Sequence, residues 1–297
     1  MRRVQIITDS CADLGGKLLD KYGIDYVKMS IVEDGKETPA LLTWTEEEAH
    51  ALYDQIRAGK RITTAQVTVE EFQRVFGRYI EDGCDIVYIG CASKQSGSVN
   101  TGYVTAQKLM EKNPGVQIFC IDSLNSTIGE GMLAIEAAKM ASEGKGAEEI
   151  ANSISSIRNN VLEFATVHSL DTLRRAGRVS ASSAFFGNLM GVKPILVADA
   201  KGAQAAYKKV KGRPAAIREC IALMKENIID AEKQTIYLWH SDCDREELNQ
   251  VAEMVKAEIP CQELEIGYIG PIVGASVGPS VIGLWAFGKE VTFVSEA

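Results

Sequence analysis

The sequence lacks the features that define several large functional classes. Basic residues are not in excess, because 40 acidic and 32 basic side chains give a formal net charge of -8. Since phosphate contacts require a positive surface, this balance disfavours nucleic-acid binding. No apolar run approaches the ~18 residues of a membrane span, and the first ten residues do not form a signal peptide. We therefore expect a soluble cytoplasmic protein with no integral membrane segment.

Cofactor and metal motifs are also absent. The seven cysteines are odd in number and include no CxxC pair, which argues against a disulfide framework or a zinc site and for a reducing compartment. GxxxxGK[ST], GxGxxG after a strand and HExxH do not occur. Only three histidines are present, His50, His168 and His240, and their separation favours surface or structural roles. We expect no cofactor and no metal.

What is present is a globular composition, with 46% hydrophobic and 24% charged residues over 297 positions. In the first half, short apolar runs alternate with helical patterns. The runs at 4–8, 24–32, 85–91 and 116–121 predict strands, and the helices are expected near 12–21, 45–58, 97–112 and 128–142. This repetition predicts a mostly parallel sheet flanked by helices.

The second half has a different pattern. Strands are predicted at 164–168, 194–198 and 235–240, with a hairpin turn at 199–202 and helices at 213–229 and 244–257. Residues 281–287 and 291–294 predict a closing hairpin. The fold class is therefore α/β with two domains: residues 1–160 with the mostly parallel sheet, and residues 161–297 with an α+β sheet.

Hydroxyl-rich loops follow the predicted strands of the first half, at 8–10, 93–98 and 122–126, and a fourth lies at 63–66. Ligands of open α/β sheets bind beyond the carboxyl ends of the strands. Ser96-Gly97-Ser98 also opens a predicted helix, where free backbone N–H groups and the helix dipole can hold one anion. The alternative is that these hydroxyls only cap helices.

One catalytic motif remains as an alternative. Gly274-Ala275-Ser276-Val277-Gly278 fits GxSxG, the nucleophile elbow of α/β-hydrolases, in which an acid and a histidine follow the serine. No histidine or aspartate follows Ser276, and Pro279 lies where the helix of the elbow should begin.

Several short motifs occur in a fixed order along the chain. They are Ile7-Thr8-Asp9-Ser10-Cys11-Ala12-Asp13-Leu14, Thr64-Ala65-Gln66-Val67-Thr68, Ser93-Lys94-Gln95-Ser96-Gly97-Ser98, Asp122-Ser123, Ala176-Gly177-Arg178-Val179-Ser180, Val192-Lys193-Pro194 and Gly278-Pro279. Together these motifs resemble the DegV family of bacterial fatty-acid-binding proteins, which includes acyl-carrying subunits of fatty-acid kinase.

The resemblance implies a non-enzymatic lipid-binding protein that holds a long-chain fatty acid in an internal cavity between or beside the two domains. We expect the protein to be a monomer. It implies a carboxylate site at Thr64 and at the helix start Ser96, Gly97 and Ser98. It also implies a separate ATP-dependent fatty-acid kinase as partner, with Arg178 on the surface that serves it.

This chain departs from the family pattern at Ala65 and Val67, where serine and proline are usual, and at Ser276, which stands at a position usually held by histidine. Because that histidine can reach the carboxylate, Ser276 is also a candidate head-group residue. A stand-alone hydrolase that uses Ser276 and a regulatory protein with a vestigial lipid cavity are the alternatives.

Overall fold

The computed structural model describes residues 2–179 and 191–295, and the chain divides into two compact units. Unit 1 comprises Met1–Trp44 and Thr63–Arg158, and unit 2 comprises Thr45–Ile62 and Asn159–Ala297. Residues 45–62 thus belong to unit 2, although they fall within the predicted domain 1–160. Their place in unit 2 is fixed by Tyr53, which is fully buried and whose hydroxyl donates a 2.6 Å hydrogen bond to the carbonyl of Ile269.

The strands of unit 1 are β1 (Arg3–Asp9), β2 (Asp25–Val27), β3 (Ser30–Glu33), β4 (Lys36–Pro39), β5 (Thr63–Ala65), β6 (Cys84–Gly90) and β7 (Ile118–Asp122). Its helices are α1 (Gly15–Tyr22), α3 (Val69–Glu81), α4 (Ser98–Lys112), α5 (Thr127–Ser142) and α6 (Ala147–Ile157), and α2 (Glu46–Arg57) belongs to unit 2.

A four-stranded parallel sheet forms the centre of unit 1, in the order β2-β1-β6-β7. Every residue of β6 is buried, as expected for a strand of a parallel sheet that is covered on both faces. Helix α5 is buried along most of its length and packs on β1 and β6. The strand order reverses between β1 and β6, which is the position where α/β sheets open a crevice at their carboxyl ends. The predicted parallel sheet with flanking helices is confirmed.

A second, antiparallel sheet of unit 1 has the order β4-β3-β5. The single strand predicted for residues 24–32 is wrong, because β2 and β3 belong to different sheets. The backbone leaves the first sheet at Met29, whose N–H donates to the Ser10 hydroxyl instead of a neighbouring strand. The turn between β3 and β4 is tight, and Asp34 and Gly35 both adopt positive φ there, as such a hairpin requires.

Threonine side chains cap the starts of α2 and α3. The Thr45 hydroxyl accepts a hydrogen bond from the Glu48 N–H, and the Glu48 carboxylate accepts one from the Thr45 N–H, which completes a capping box. At the start of α3 only half of that arrangement forms. Thr68 accepts from the N–H of Glu71, but the Glu71 carboxylate accepts instead from the N–H of Lys28 and from Arg74.

Unit 2 adds the strands β8 (Val161–Thr166), β9 (Val192–Ala198), β10 (Gln204–Lys211), β11 (Thr235–His240), β12 (Glu263–Tyr268) and β13 (Ile282–Phe287). Its further helices are α7 (Asp171–Ala176), α8 (Arg213–Asn227), α9 (Arg245–Glu258) and α10 (Pro271–Val277).

The six strands form one mixed sheet in the order β10-β9-β8-β13-β11-β12. Apolar residues of this sheet pack with α8 and α9 in a single core that includes Ile221, Leu238, Val255 and Leu284. The predicted α+β character of this half and the hairpin between β9 and β10 are confirmed. None of the described helices is both long and apolar enough to cross a membrane.

The predicted closing hairpin at 281–287 and 291–294 is wrong. Strand β13 pairs with β8 on one side and β11 on the other, so neither of its edges is open to a following strand. Residues 291–295 form no strand, and their backbone instead contacts loops, with the Val291 N–H donating to Asn159 and the Phe293 carbonyl accepting from Ala200.

Candidate functional site

Two of the four predicted hydroxyl-rich loops have structural roles. After β1, the side chains of Thr8, Asp9 and Ser10 have no exposed surface, and the Ser10 hydroxyl donates to the carbonyl of Ala40. The Asp9 carboxylate accepts hydrogen bonds from the phenol of Tyr88 and from two backbone N–H groups. These polar groups are therefore used to hold the end of β1 in the core.

The loop after β7 is likewise bonded to itself. The Ser123 hydroxyl donates to the carbonyl of Asn125, and the Asn125 amide donates to the carbonyls of Ser123 and Arg158. Ser126 occupies the N-cap position of α5 but makes no side-chain capping bond. For this loop, the alternative of a purely structural role accounts for Ser123 and Asn125.

Thr64 lies in the middle of β5, opposite Ile31 of β3. Its side chain is half-buried, and Thr63, whose side chain points to the other face of the strand, is exposed. The chain then continues through Gln66, whose amide donates a 3.0 Å hydrogen bond to the Thr101 hydroxyl on α4. The segment that carries Thr64 is thereby held against the first turn of α4.

The start of α4 provides the second part of the candidate site. Gly97 is the N-cap, and an added Cβ there would overlap the Gln66 side-chain oxygen. Ser98 is fully buried, and its hydroxyl oxygen accepts from the N–H of Val67 at 3.2 Å and lies 2.9 Å from the Ser96 hydroxyl. Ser96 also accepts from the Ser98 N–H at 3.2 Å.

The predicted residues therefore separate into two roles. Ser98 joins the β5–α3 connection to the helix start and is already engaged by protein groups. Ser96 is half-buried and Gly97 is exposed. Both lie at the N-terminal start of a 15-residue helix, where the first N–H groups have no intrahelical acceptor. The helix start and the segment carrying Thr64 form one polar surface of hydroxyl and backbone N–H groups.

Ser276 lies in the last turn of α10 and is half-buried. A nucleophile elbow would place the serine at a sharp turn between a strand and a helix, but Gly274 through Val277 are helical here. The GxSxG geometry required by the hydrolase alternative is absent at Ser276. The motif arises because Gly274 lies against the Tyr53 ring and Gly278 ends the helix at a φ of 76°.

Arg178 is exposed just after α7. Gly177 ends that helix with a φ of 66°, and the Arg178 N–H donates to the carbonyl of Leu173, as in a common helix C-terminal motif. The guanidinium donates to the carbonyl of Ala176. Ser180, which closes the motif quoted above, lies outside the described residues.

The three histidines do not converge. His50 Nδ1 lies 2.5 Å from the buried Asp242 carboxylate, which raises the pKa of His50 through a hydrogen bond and charge attraction. His240 is buried, and loss of hydration lowers its pKa to about 4. His168 is exposed. The expected surface and structural roles agree with these positions.

Sequence analysis missed two buried carboxyl groups. In unit 2, Glu163 of β8 lines a pocket of about 180 Å³, where burial raises its pKa to about 7. The Gln204 amide donates to one oxygen of Glu163 at 2.6 Å, while the Trp285 indole N–H approaches without hydrogen-bond geometry. In unit 1, Glu130 of α5 has no exposed surface. The available signal was a glutamate inside an apolar run, in LEFAT and in TIGEGML.

Comparison with known proteins identifies a family over nearly the whole chain. The model described as the DegV family matches residues 3–289. A DegV domain-containing protein of Clostridium perfringens is 31% identical over 288 residues, which cover 97% of this chain and 98% of that protein.

Solved structures share the fold at lower identity. A fatty-acid-binding DegV family protein from Thermus thermophilus superposes with a TM-score of 0.85 at 23% identity, covering 97% of this chain and 100% of that one. A stearic acid-binding protein from Eubacterium ventriosum gives 0.84 at 22% identity, covering 96% and 98%. The mixed α/β architecture described above is therefore shared with both of these solved structures.

Proposed function

The chain belongs to the DegV family, and from that premise we propose that it binds a long-chain fatty acid whose carboxylate lies at Thr64, Ser96 and Gly97. The observation that carries the proposal is the attachment of the Thr64 segment to the start of α4 through Gln66 and Val67. This attachment joins a hydroxyl-bearing strand and a helix N-terminus in one unit.

The chemistry of this surface suits one negative charge. Hydroxyl groups and helix N–H groups donate hydrogen bonds to a carboxylate without a buried cation. Lys94 is the nearest basic residue in the loop sequence, and its side chain is exposed. A phosphate with two charges would be matched less well than a carboxylate, because nothing in the Ser93–Ser98 loop other than Lys94 carries positive charge.

The acyl tail would supply most of the binding energy. Removal of about 14 methylene groups from water contributes roughly 11 kcal/mol before the costs of ordering the chain. One hydrogen bond to the charged head group contributes about 1.5–3 kcal/mol. The head-group residues therefore determine selectivity for an acid over a neutral lipid more than they determine whether a lipid binds.

The test compares palmitate with hexadecanol, which has the same chain length but no charge. Ser96→Ala and Thr64→Val should each weaken palmitate binding by about 1–3 kcal/mol and affect hexadecanol much less. Thr63→Val is the matched control, because its side chain lies on the opposite face of β5 and is exposed. Lipid extracted from the purified protein should contain a long-chain fatty acid.

Two results would contradict the proposal. Equal losses for acid and alcohol would place the head group elsewhere. Absence of extracted acyl lipid, together with palmitate and oleate affinities no tighter than about millimolar, would reject fatty-acid binding altogether.

We further propose that the protein presents the bound carboxylate to a separate ATP-dependent kinase rather than catalysing a reaction itself. The proposal is supported by the exposed cluster of Arg174, Arg175 and Arg178 at the end of α7, which offers positive charge to an acidic partner surface. It is also consistent with the helical geometry at Ser276, which does not form a nucleophile elbow. Phosphoryl transfer depends on positioning, so this role is more sensitive to small changes than lipid binding.

A further inference from the structure

Two cysteines and a glutamate lie together in the core of unit 1. Cys11 follows β1 and Cys91 follows β6, on the two strands between which the sheet order reverses. Glu130 lies in the first turn of α5, which packs on β1. The two sulfur atoms and one carboxylate oxygen are all within 4.8 Å of one another.

One oxygen of the Glu130 carboxyl lacks a hydrogen-bond partner among the described residues. One oxygen accepts a 2.6 Å hydrogen bond from the Thr8 hydroxyl, and the other is buried without any hydrogen-bond partner among the described residues. A buried polar oxygen without a partner is costly, so native proteins rarely leave one unsatisfied unless a proton, a water or an ion is bound. The unsatisfied oxygen belongs to the same side chain that approaches the two thiols.

The Asp9 carboxylate holds the backbone of both cysteines through hydrogen bonds. One of its oxygens accepts from the backbone N–H of Cys11 at 2.9 Å, and the other accepts from that of Cys91 at 3.1 Å. Tyr88 donates a further hydrogen bond to Asp9 at 2.8 Å. A carboxylate that fixes the backbone of two ligands is the kind of outer support found around protein metal sites.

We propose that Cys11, Cys91 and Glu130 form a binding site for a thiophilic divalent cation, with Zn²⁺ as the physiological ion. Two sulfur ligands favour zinc over magnesium or calcium, which prefer oxygen alone. Tetrahedral zinc with bonds of about 2.3 Å to sulfur and 2.0–2.2 Å to oxygen separates its ligand atoms by roughly 3.5–3.8 Å. The observed group can reach that spacing through movements of about 1 Å or less.

Metal binding at these three residues releases protons. It removes one proton from each of the Cys11 and Cys91 thiols, and one from Glu130 wherever that carboxyl is protonated. Zn²⁺ is then held by two thiolates and one carboxylate, with the fourth position open to water. No electron is transferred. The positive end of α5 lies beside Glu130 and favours the ionised carboxylate.

The linear spacing of the cysteines gave no sign of this site, because Cys11 and Cys91 are 80 positions apart and are brought together by the pairing of β1 with β6. The sequence-based expectation of no metal was drawn from the lack of contiguous motifs such as CxxC, and this proposal departs from it. The inference does not depend on fatty-acid binding, since Thr64, Ser96 and Gly97 take no part in it.

The experiment is titration of the full-length, chelator-treated and reduced protein with Cd²⁺, with Zn²⁺ as competitor. We expect one Cd²⁺ per chain with thiolate-to-metal charge-transfer absorption. Cys11→Ser and Cys91→Ser should each remove most of that absorption, and Glu130→Gln should weaken the affinity at least tenfold. Cys120→Ser is the matched control, because Cys120 lies on β7 of the same sheet but outside the cluster, and it should bind like wild type.

A measurement on the wild-type protein keeps the proposal testable if a variant does not fold. X-ray absorption of the zinc-loaded chain should show two sulfur ligands at about 2.3 Å, with the other ligands nitrogen or oxygen. No stoichiometric metal, binding that persists in Cys11→Ser and Cys91→Ser, or a different sulfur count would overturn the site. A loss of two hydrogen masses without reductant, mapped to Cys11 and Cys91, would also overturn it, since the pair would then be a disulfide.

Discussion

The buried Glu163 should make the stability of unit 2 depend on pH. Its folded-state pKa is about 7 because burial penalises the charged carboxylate, whereas an unfolded glutamate titrates near 4.5. Well below pH 4.5 the group is protonated in both states and has no effect. As pH rises, the unfolded chain releases the proton first, so the folded state binds more protons and its stability falls until the pH exceeds about 7.

The size of the effect follows from the two pKa values. At 1.36 kcal/mol per pKa unit, the destabilisation is about 0.8 kcal/mol at pH 5 and about 3.3 kcal/mol at pH 8. Glu163→Gln removes the titration and keeps an oxygen that can accept the hydrogen bond from Gln204. We therefore expect the variant to gain about 2.5 kcal/mol in free energy of unfolding, relative to wild type, between pH 5 and pH 8.

Urea unfolding monitored by tryptophan fluorescence measures this difference. Trp239 and Trp285 lie in unit 2 and Trp44 in unit 1, so a Trp44→Phe background makes the signal specific for unit 2. Glu258→Gln, at an exposed position of α9, is the control for loss of one negative charge. The reasoning is refuted if wild type and Glu163→Gln show the same change in stability between the two pH values.

Two further predictions concern the proposed function. Ser276→His should tighten palmitate binding by about 1–3 kcal/mol and raise phosphorylation by a cognate kinase, because imidazole can donate a hydrogen bond to the carboxylate. Unchanged or weaker binding, with circular dichroism showing an intact fold, would show that position 276 has no head-group role. Arg178→Glu should slow phosphorylation of bound palmitate by that kinase while palmitate affinity stays constant. Lys256→Glu on α9 is the control, and equal rates for both variants and wild type would show that Arg178 is not part of the partner surface.

The sequence was sufficient for the alternation of strands and helices in unit 1 and for the β9–β10 hairpin, because these depend on local periodicity and turn residues. It was insufficient where pairing partners are distant. Residues 24–32 are continuously strand-like, and only the bond from Met29 to Ser10 shows where the chain changes sheets. Strand β12 was not predicted, although residues 263–266 alternate glutamate with an apolar residue as a half-buried edge strand does.

The candidate site shows the same division. Residue type and position before a helix were enough to select Ser96, Gly97 and Ser98 together. They could not reveal that the Ser98 oxygen is occupied by the Val67 N–H, because that contact joins residues 31 positions apart. A hydroxyl in a loop has the same appearance in sequence whether it faces a ligand or the core.

The central position of β13 has a consequence for the order in which this protein can be completed during synthesis. Residues 282–287 lie between β8 and β11, so the sheet of unit 2 stays in two pieces until the ribosome has passed them. Until then β8 and β11 each expose a row of unpaired backbone groups that can pair with another chain. Unit 1, whose last described helix ends at Ile157, needs none of those residues for its two sheets. Unit 1 can thus fold on the nascent chain before the sheet of unit 2 is completed by its last strand.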